Sequence, residues 1–189
     1  MEKIKEILDR WTEKIYPSRE EFEKALISGK RLLIYHGIDP TAPHLHLGHS
    51  TNFFLLREFQ KLGHKIVIVI GDFTAQIGDP TGRLSKRKAL SKEEVLKNSK
   101  NYQKQMEKIL DFKSKENPAE IKFNSQWLER MKIKDLIDIA SKFTLGQMIK
   151  RSMFQERIKA KKEIFLHEFL YPLFQAFDSV FLNCDAEVG

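Results

Sequence analysis

A chain of 189 residues is long enough to bury a real core and fits one α/β domain, or one domain carrying an insertion. Its 33 lysines and arginines against 26 aspartates and glutamates leave a net charge of +7, which suits a polyanionic partner without identifying one. The single cysteine, Cys184, excludes an internal disulfide, and an N-terminal stretch that contains acidic residues and no long apolar run excludes a signal peptide or membrane span there, so a cytoplasmic protein is expected.

Ile4, Ile7, Leu8, Trp11 and Ile15 recur at helical spacing and predict an amphipathic helix over residues 3 to 16, stopped by Pro17. Ser18 to Glu21 forms a capping box for a short helix that ends near Gly29, completing an N-terminal helical segment over residues 1–30. The apolar run Arg31 to Tyr35 reads as a strand, Gly37 and Asp39-Pro40 as a turn, and Leu47 to Leu62 as a helix with Gly63 beyond its end. Lys65 to Ile70, K-I-V-I-V-I, is a continuous β-branched run of the kind buried in a parallel sheet, so these elements predict a right-handed βαβ unit. A glycine-rich loop over residues 71 to 83 follows, then a basic segment, a second capping box at Ser91 to Glu94, and one long helix from Val95 to Phe112. Ile121 to Phe123 reads as a further strand, closing the first half of a nucleotide-binding fold over residues 31–125. Helices near Gln126 to Met131, Asp135 to Lys142 and Leu145 to Lys150 interrupt the alternation and read as an insertion over residues 126–166. The segment 167–189 returns to the core with an apolar helix around Ile164 to Phe174 and a short strand expected at Val180 to Leu182.

The chemistry concentrates at a few places. His46-Leu47-Gly48-His49 stands where a strand turns into a helix, which aims backbone N–H groups and the positive end of the helix dipole at a bound phosphate. The two histidines lie one turn apart, and Gly48 leaves room for a flat group against the backbone. A metal site built on His44, His46 and His49 ranks below a nucleotide site, because no cysteine or obvious carboxylate sits at ligand spacing. Asp79, in the loop after the second strand, is placed to receive an ammonium group, and Arg83, Lys86, Arg87 and Lys88 are either a solvated charge run or a closure over polyphosphate. The cluster from Lys150 to Lys162 is balanced between a solvated face and nucleic-acid contact. Tyr171, Gln175 and Asp178 share one face of an apolar helix, and Asp178 beside Tyr35 would supply the acceptor and donor that a phenolic hydroxyl needs.

Taken together, these blocks resemble the tyrosyl-tRNA synthetases, class I aminoacyl-tRNA synthetases with a HIGH signature. The resemblance spans about residues 33–189 and rests on Tyr35-x-Gly37-x-Asp39-Pro40-Thr41, His46-Leu47-Gly48-His49, Gly78-Asp79-Pro80-Thr81-Gly82 and Tyr171-x3-Gln175-x2-Asp178 in one order. It implies an α/β, Rossmann-like (HUP-type) parallel sheet with helices on both faces and a helical insertion, continuing beyond Gly189 into a Gly-Gly-x-Asp-Gln segment, a second half of the sheet, a KMSKS loop and an anticodon-recognition domain. It implies tyrosine contacts from Tyr35, Asp79, Tyr171, Gln175 and Asp178, and ATP contacts from Gly37, Asp39, Thr41, His46, Gly48 and His49; the catalytic residues would be Thr41 and His46 on the polyphosphate, His49 at the ribose, and Arg83 and Arg87 on the leaving pyrophosphate. His36 stands at a ribose-side position where well-known members carry cysteine. The implied substrates are L-tyrosine, ATP with Mg²⁺ and tRNA(Tyr), with no metal bound tightly by the protein, and the implied assembly is a homodimer joined through the inserted region. Alternatives are another HIGH-type adenylyltransferase, such as tryptophanyl-tRNA synthetase or a nucleotidyltransferase, and a noncatalytic tyrosine- or RNA-binding module.

Overall fold

The computed structural model describes residues 2–77 and 90–189. In chain order these form α1 (Glu2–Trp11), α2 (Arg19–Ile27), β1 (Leu33–Ile38), α3 (Leu47–Lys61), β2 (Lys65–Ile70) and α4 (Thr74–Ile77). After the undescribed segment come α5 (Lys92–Ser99), α6 (Tyr102–Met106), β3 (Glu120–Phe123), α7 (Ser125–Leu128), α8 (Ile133–Ala140), α9 (Leu145–Ile149) and α10 (Ser152–Lys159). A 3-10 turn over Leu166–Phe169 leads into α11 (Leu170–Leu182) and the two-residue β4 (Ala186–Glu187).

The four strands make one parallel sheet in the order β3-β2-β1-β4, with Tyr35 in register with Val67 on one side and with Glu187 on the other. Strand periodicity sends successive side chains to opposite faces. Ile34, Ile38, Ile66, Ile68 and Ile70 pack under α1, α2, α3 and α6, whereas Tyr35, Val67 and Val69 pack with Trp127, Leu128 and Phe174 from α7 and α11. Both faces are therefore covered, which is why β2 is apolar at almost every position. Burying these strands removes each isoleucine or valine from water, worth about 1.5–3 kcal/mol per side chain.

Several boundaries differ from the sequence reading. The first helix ends at Trp11 rather than at residue 16, where the Thr12 hydroxyl takes the Leu8 carbonyl at 2.7 Å; Ile15 still packs on the core from irregular chain. The expected single helix from Val95 to Phe112 is two helices, because Asn98 and Tyr102 turn to bind the carbonyls of Pro40 and Ala42 at 2.9 and 2.6 Å. Val180 to Leu182 is not a strand but the last turn of α11, which ends only where Asn183 adopts the left-handed conformation, φ 48°. Strand pairing resumes three residues later at Ala186. The return to the core begins as a 3-10 turn, anchored by the buried Arg157–Glu168 ion pair that ties α10 to it.

Candidate active site

The carboxyl ends of β1 and β2 and the helix α11 converge on one polar hydrogen-bond network. Asp39, just past β1, accepts hydrogen bonds from Thr74 Oγ1 at 2.7 Å and from the Tyr171 hydroxyl at 2.9 Å, joining the two loops to α11. Gly71 has to be glycine here, since a Cβ would run into Asp39 Oδ1 and Thr74 Oγ1. Asn124, 1% exposed at the end of β3, is the hub: its Oδ1 accepts from Phe73 N–H at 3.0 Å, and its Nδ2 donates to Thr74 Oγ1 at 3.1 Å and Asp178 Oδ2 at 3.2 Å.

Asp178 sits 5% exposed, with the Trp127 indole N–H donating to its other oxygen at 2.7 Å. Burial pushes its pKa up to about 7, against the lowering effect of the Trp127 and Asn124 hydrogen bonds; the negative Asp39 and Glu187 add to the rise. Tyr35 lies on the same side of the sheet. Its hydroxyl bonds Ser179 Oγ at 2.7 Å, and burial, followed by the field of Glu187, raises its pKa so that it stays a neutral phenol. Gln175, one turn before Ser179, donates its amide N–H to Glu187 Oε1 at 3.0 Å. Tyr35, Tyr171, Gln175 and Asp178 thus meet on one side of the sheet, each held by a partner. Of those partners, Asn124, Trp127, Ser179 and Glu187 carry no local sequence signal.

On the β1–α3 side, the loop over residues 40 to 45 is braced by Asn98, Tyr102 and Gln105, whose Oε1 accepts from Leu45 N–H at 2.9 Å and whose Nε2 donates to the Pro43 carbonyl at 3.0 Å. Thr41 is exposed on this loop, its N–H donating to the Asp39 carbonyl at 2.8 Å. His46 precedes α3 and is exposed, and its ring lies 3.9 Å from that of His49. The His46 backbone N–H donates to His49 Nδ1 at 3.2 Å, so the neutral His49 carries its proton on Nε2, which is left as a donor. Burial and the neighbouring His46 both lower the His49 pKa and favour that neutral form. A Cβ at Gly48 would approach the His46 ring to 3.1 Å, so the absent side chain is needed first by the histidine itself. Gly37 is exposed and a Cβ there would meet nothing within 4 Å.

His36 points the other way, toward α3. Its Nδ1 lies 2.6 Å from the Val188 carbonyl, its Nε2 is buried without a hydrogen-bond partner, and burial lowers its pKa to about 4. Asp79, Arg83 and Arg87, with Gly78 to Gly82, Lys86 and Lys88, lie outside the described residues. Among the described residues no group of three or more His, Cys, Asp or Glu could hold a metal ion, and no helix is long and apolar enough to cross a membrane.

A parallel sheet with helices on both faces, a His-x-Gly-His helix start at the end of its first strand and a polar pocket beside it define a Rossmann-like class I synthetase catalytic fold. A family model described as tRNA synthetases class I (W and Y) matches residues 28–189. The tyrosine–tRNA ligase of Carboxydothermus hydrogenoformans is 49% identical over 189 residues, covering 97% of this chain and 44% of that one. That of Thermotoga maritima is 49% identical over 172 residues, covering 91% and 42%. The crystal structure of a C-terminally truncated Aspergillus nidulans mitochondrial tyrosyl-tRNA synthetase superposes with a TM-score of 0.81 at 26% identity, over 91% of this chain and 52% of that one. The chain belongs to the class I tRNA synthetases of the tryptophan and tyrosine family. It spans less than half the length of the two ligases.

Proposed function

We propose that this chain supplies the amino-acid and ATP sites of a tyrosine–tRNA ligase, which activates L-tyrosine to tyrosyl-adenylate and passes the tyrosyl group to tRNA(Tyr). The observation that carries the choice of tyrosine is Asp178, a carboxylate buried on the same side of the sheet as Tyr35 and held in place by Trp127 and Asn124. Each oxygen of a carboxylate accepts more than one hydrogen bond, so beyond Trp127 and Asn124 this buried group keeps acceptor capacity for a ligand hydroxyl, and a site that hydrogen-bonds a substrate hydroxyl penalises phenylalanine by roughly four orders of magnitude.

In this reading Tyr35 and Asp178 hold the phenolic hydroxyl, and Asp79, Tyr171 and Gln175 hold the α-ammonium group. Thr41 and His46 meet the phosphates, Gly37, Asp39 and Gly48 line the nucleotide side, and the Nε2–H of His49 faces the ribose. The tyrosine carboxylate attacks the α-phosphorus of ATP, forming the mixed anhydride as the bond to pyrophosphate breaks. No protein nucleophile is consumed, so the rate comes from placing two anionic reactants together and stabilising the phosphate charge that develops. ATP would carry Mg²⁺, which neutralises phosphate charge, and Arg83 and Arg87 would contact the departing pyrophosphate.

We infer a homodimer through the inserted region over residues 126–166, and a cytoplasmic location. α8 has no buried residue, and its Ile133 and Ile137 are 79% and 60% exposed, an apolar face suited to a second copy. ATP–pyrophosphate exchange driven by tyrosine, but not by tryptophan or phenylalanine, tests the reading, and exchange driven by tryptophan overturns the choice of substrate. Tyrosine binding without exchange under any condition supports the noncatalytic module instead.

A further inference from the structure

The geometry points to Glu187 as a positioning residue of the amino-acid pocket, one that fixes which end of the Gln175 amide faces the substrate. The inference rests on the reading of Gln175 as an ammonium ligand and adds to it the group that makes Gln175 competent. Glu187 is the register partner of Tyr35 on the neighbouring strand, so both side chains leave the sheet on the same face. Its Oε1 receives the Gln175 Nε2–H at 3.0 Å and its Oε2 receives the Ser179 hydroxyl at 3.4 Å. Gln175 and Ser179 are one turn apart on α11 and with Glu187 line an open groove of about 950 Å³ that also takes in residues 11–18; the Tyr35 hydroxyl joins this side through its hydrogen bond to Ser179.

The chemistry leaves little freedom. An ionised carboxylate only accepts hydrogen bonds, so the amide of Gln175 must turn its NH₂ toward Glu187 and its carbonyl oxygen away. A carbonyl oxygen accepts from an ammonium group, whereas an NH₂ facing the same cation would be repelled. Without Glu187 the amide rotates between its two orientations, and one of them is wrong for the substrate. Glu187 also contributes a negative field close to the pocket, seen in its upward pull on the pKa of both Tyr35 and Asp178. That field favours a cation at the same place.

The test compares L-tyrosine with 3-(4-hydroxyphenyl)propionate, the same ligand without its ammonium group, by calorimetry on the wild-type chain and on Glu187→Ala. Glu187 is exposed on a two-residue strand, so the substitution leaves the core untouched. The expected result is about a tenfold loss of tyrosine affinity with the propionate within about twofold of wild type. In a Gln175→Ala background, Glu187→Ala should add almost nothing. Equal losses for both ligands, no loss for tyrosine, or full additivity with Gln175→Ala would each overturn the role of Glu187 while leaving the tyrosine pocket standing. A wild-type chain that binds the propionate as tightly as tyrosine overturns Gln175 as an ammonium ligand, and the inference with it.

Discussion

The Trp127 indole donates its N–H to Asp178 Oδ1 at 2.7 Å across 51 residues of sequence, and this bond turns a desolvated carboxyl into an oriented one. With the Asn124 amide on the other oxygen, the carboxyl is held by two neutral donors and no cation among its named partners, which leaves its pKa near 7 rather than near 4.

Tyrosine affinity should therefore depend on pH around neutrality. A phenolic O–H donates best to the ionised carboxylate, and the ionised fraction of a group with pKa about 7 rises from about 10% at pH 6 to about 90% at pH 8. Calorimetric titrations should show roughly ninefold tighter binding at pH 8 than at pH 6, with the dependence absent in Asp178→Asn. A flat profile in the wild type would remove Asp178 as the acceptor.

Asp178→Asn should also relax discrimination. The new amide presents an NH₂ to one of two groups, Trp127 Nε1–H or Asn124 Nδ2–H, that are themselves donors, leaving unpaired polar hydrogens at a cost of about 1–3 kcal/mol. Tyrosine should bind at least tenfold more weakly while ATP affinity stays within about twofold, and the tyrosine-to-phenylalanine ratio should fall. Parallel losses for tyrosine and ATP would point to general disruption instead.

The backbone of this arrangement was readable because its signals are local. The β-branched run Lys65 to Ile70 and the turn before Leu47 mark two strands and a helix start within a few residues of each other. The partners of the site were not readable, because Asn124, Trp127, Ser179 and Glu187 are single polar residues brought in from 12 to 144 positions away, with no period to announce them. The break between α5 and α6 has the same origin: Asn98 and Tyr102 look like ordinary helix residues until the loop carbonyls they bind are in place. Val180 to Leu182 misleads for the opposite reason, since three apolar residues carry no period and the end of α11 is decided by Asn183.

His36 should make stability pH-dependent in the acid range. Its pKa falls from 6.5 in the unfolded chain to about 4 in the fold, mainly through burial, so below pH 6.5 the unfolded state takes up a proton that the folded state refuses. The contribution is complete above pH 6.5 and is lost as pH falls toward 4, a change of about 3 kcal/mol for a shift of this size. Urea titrations of wild type and His36→Gln at pH 7 and pH 4.5 should show a clearly smaller pH effect in the variant. Equal effects would mean that folding leaves the proton affinity of His36 unchanged, which would overturn the burial-driven shift.

The exposed apolar face of α8 is the proposed contact between two copies. Ile133 and Ile137 are one turn apart on α8 and largely exposed, while Leu136, between them in sequence, packs with the core beneath. Substituting both isoleucines by lysine should leave the monomer's thermal unfolding nearly unchanged, because neither side chain is buried within the chain. If two copies pair through this face, four isoleucines are covered, two from each copy, and each contributes about 1.5–3 kcal/mol, so the double variant should weaken association by roughly four orders of magnitude or more. Sedimentation velocity across a concentration series reads this directly: wild type should shift toward a dimer as concentration rises, and the variant should remain monomeric. A wild type that stays monomeric throughout, or a variant that associates as well as wild type, would remove α8 from the interface.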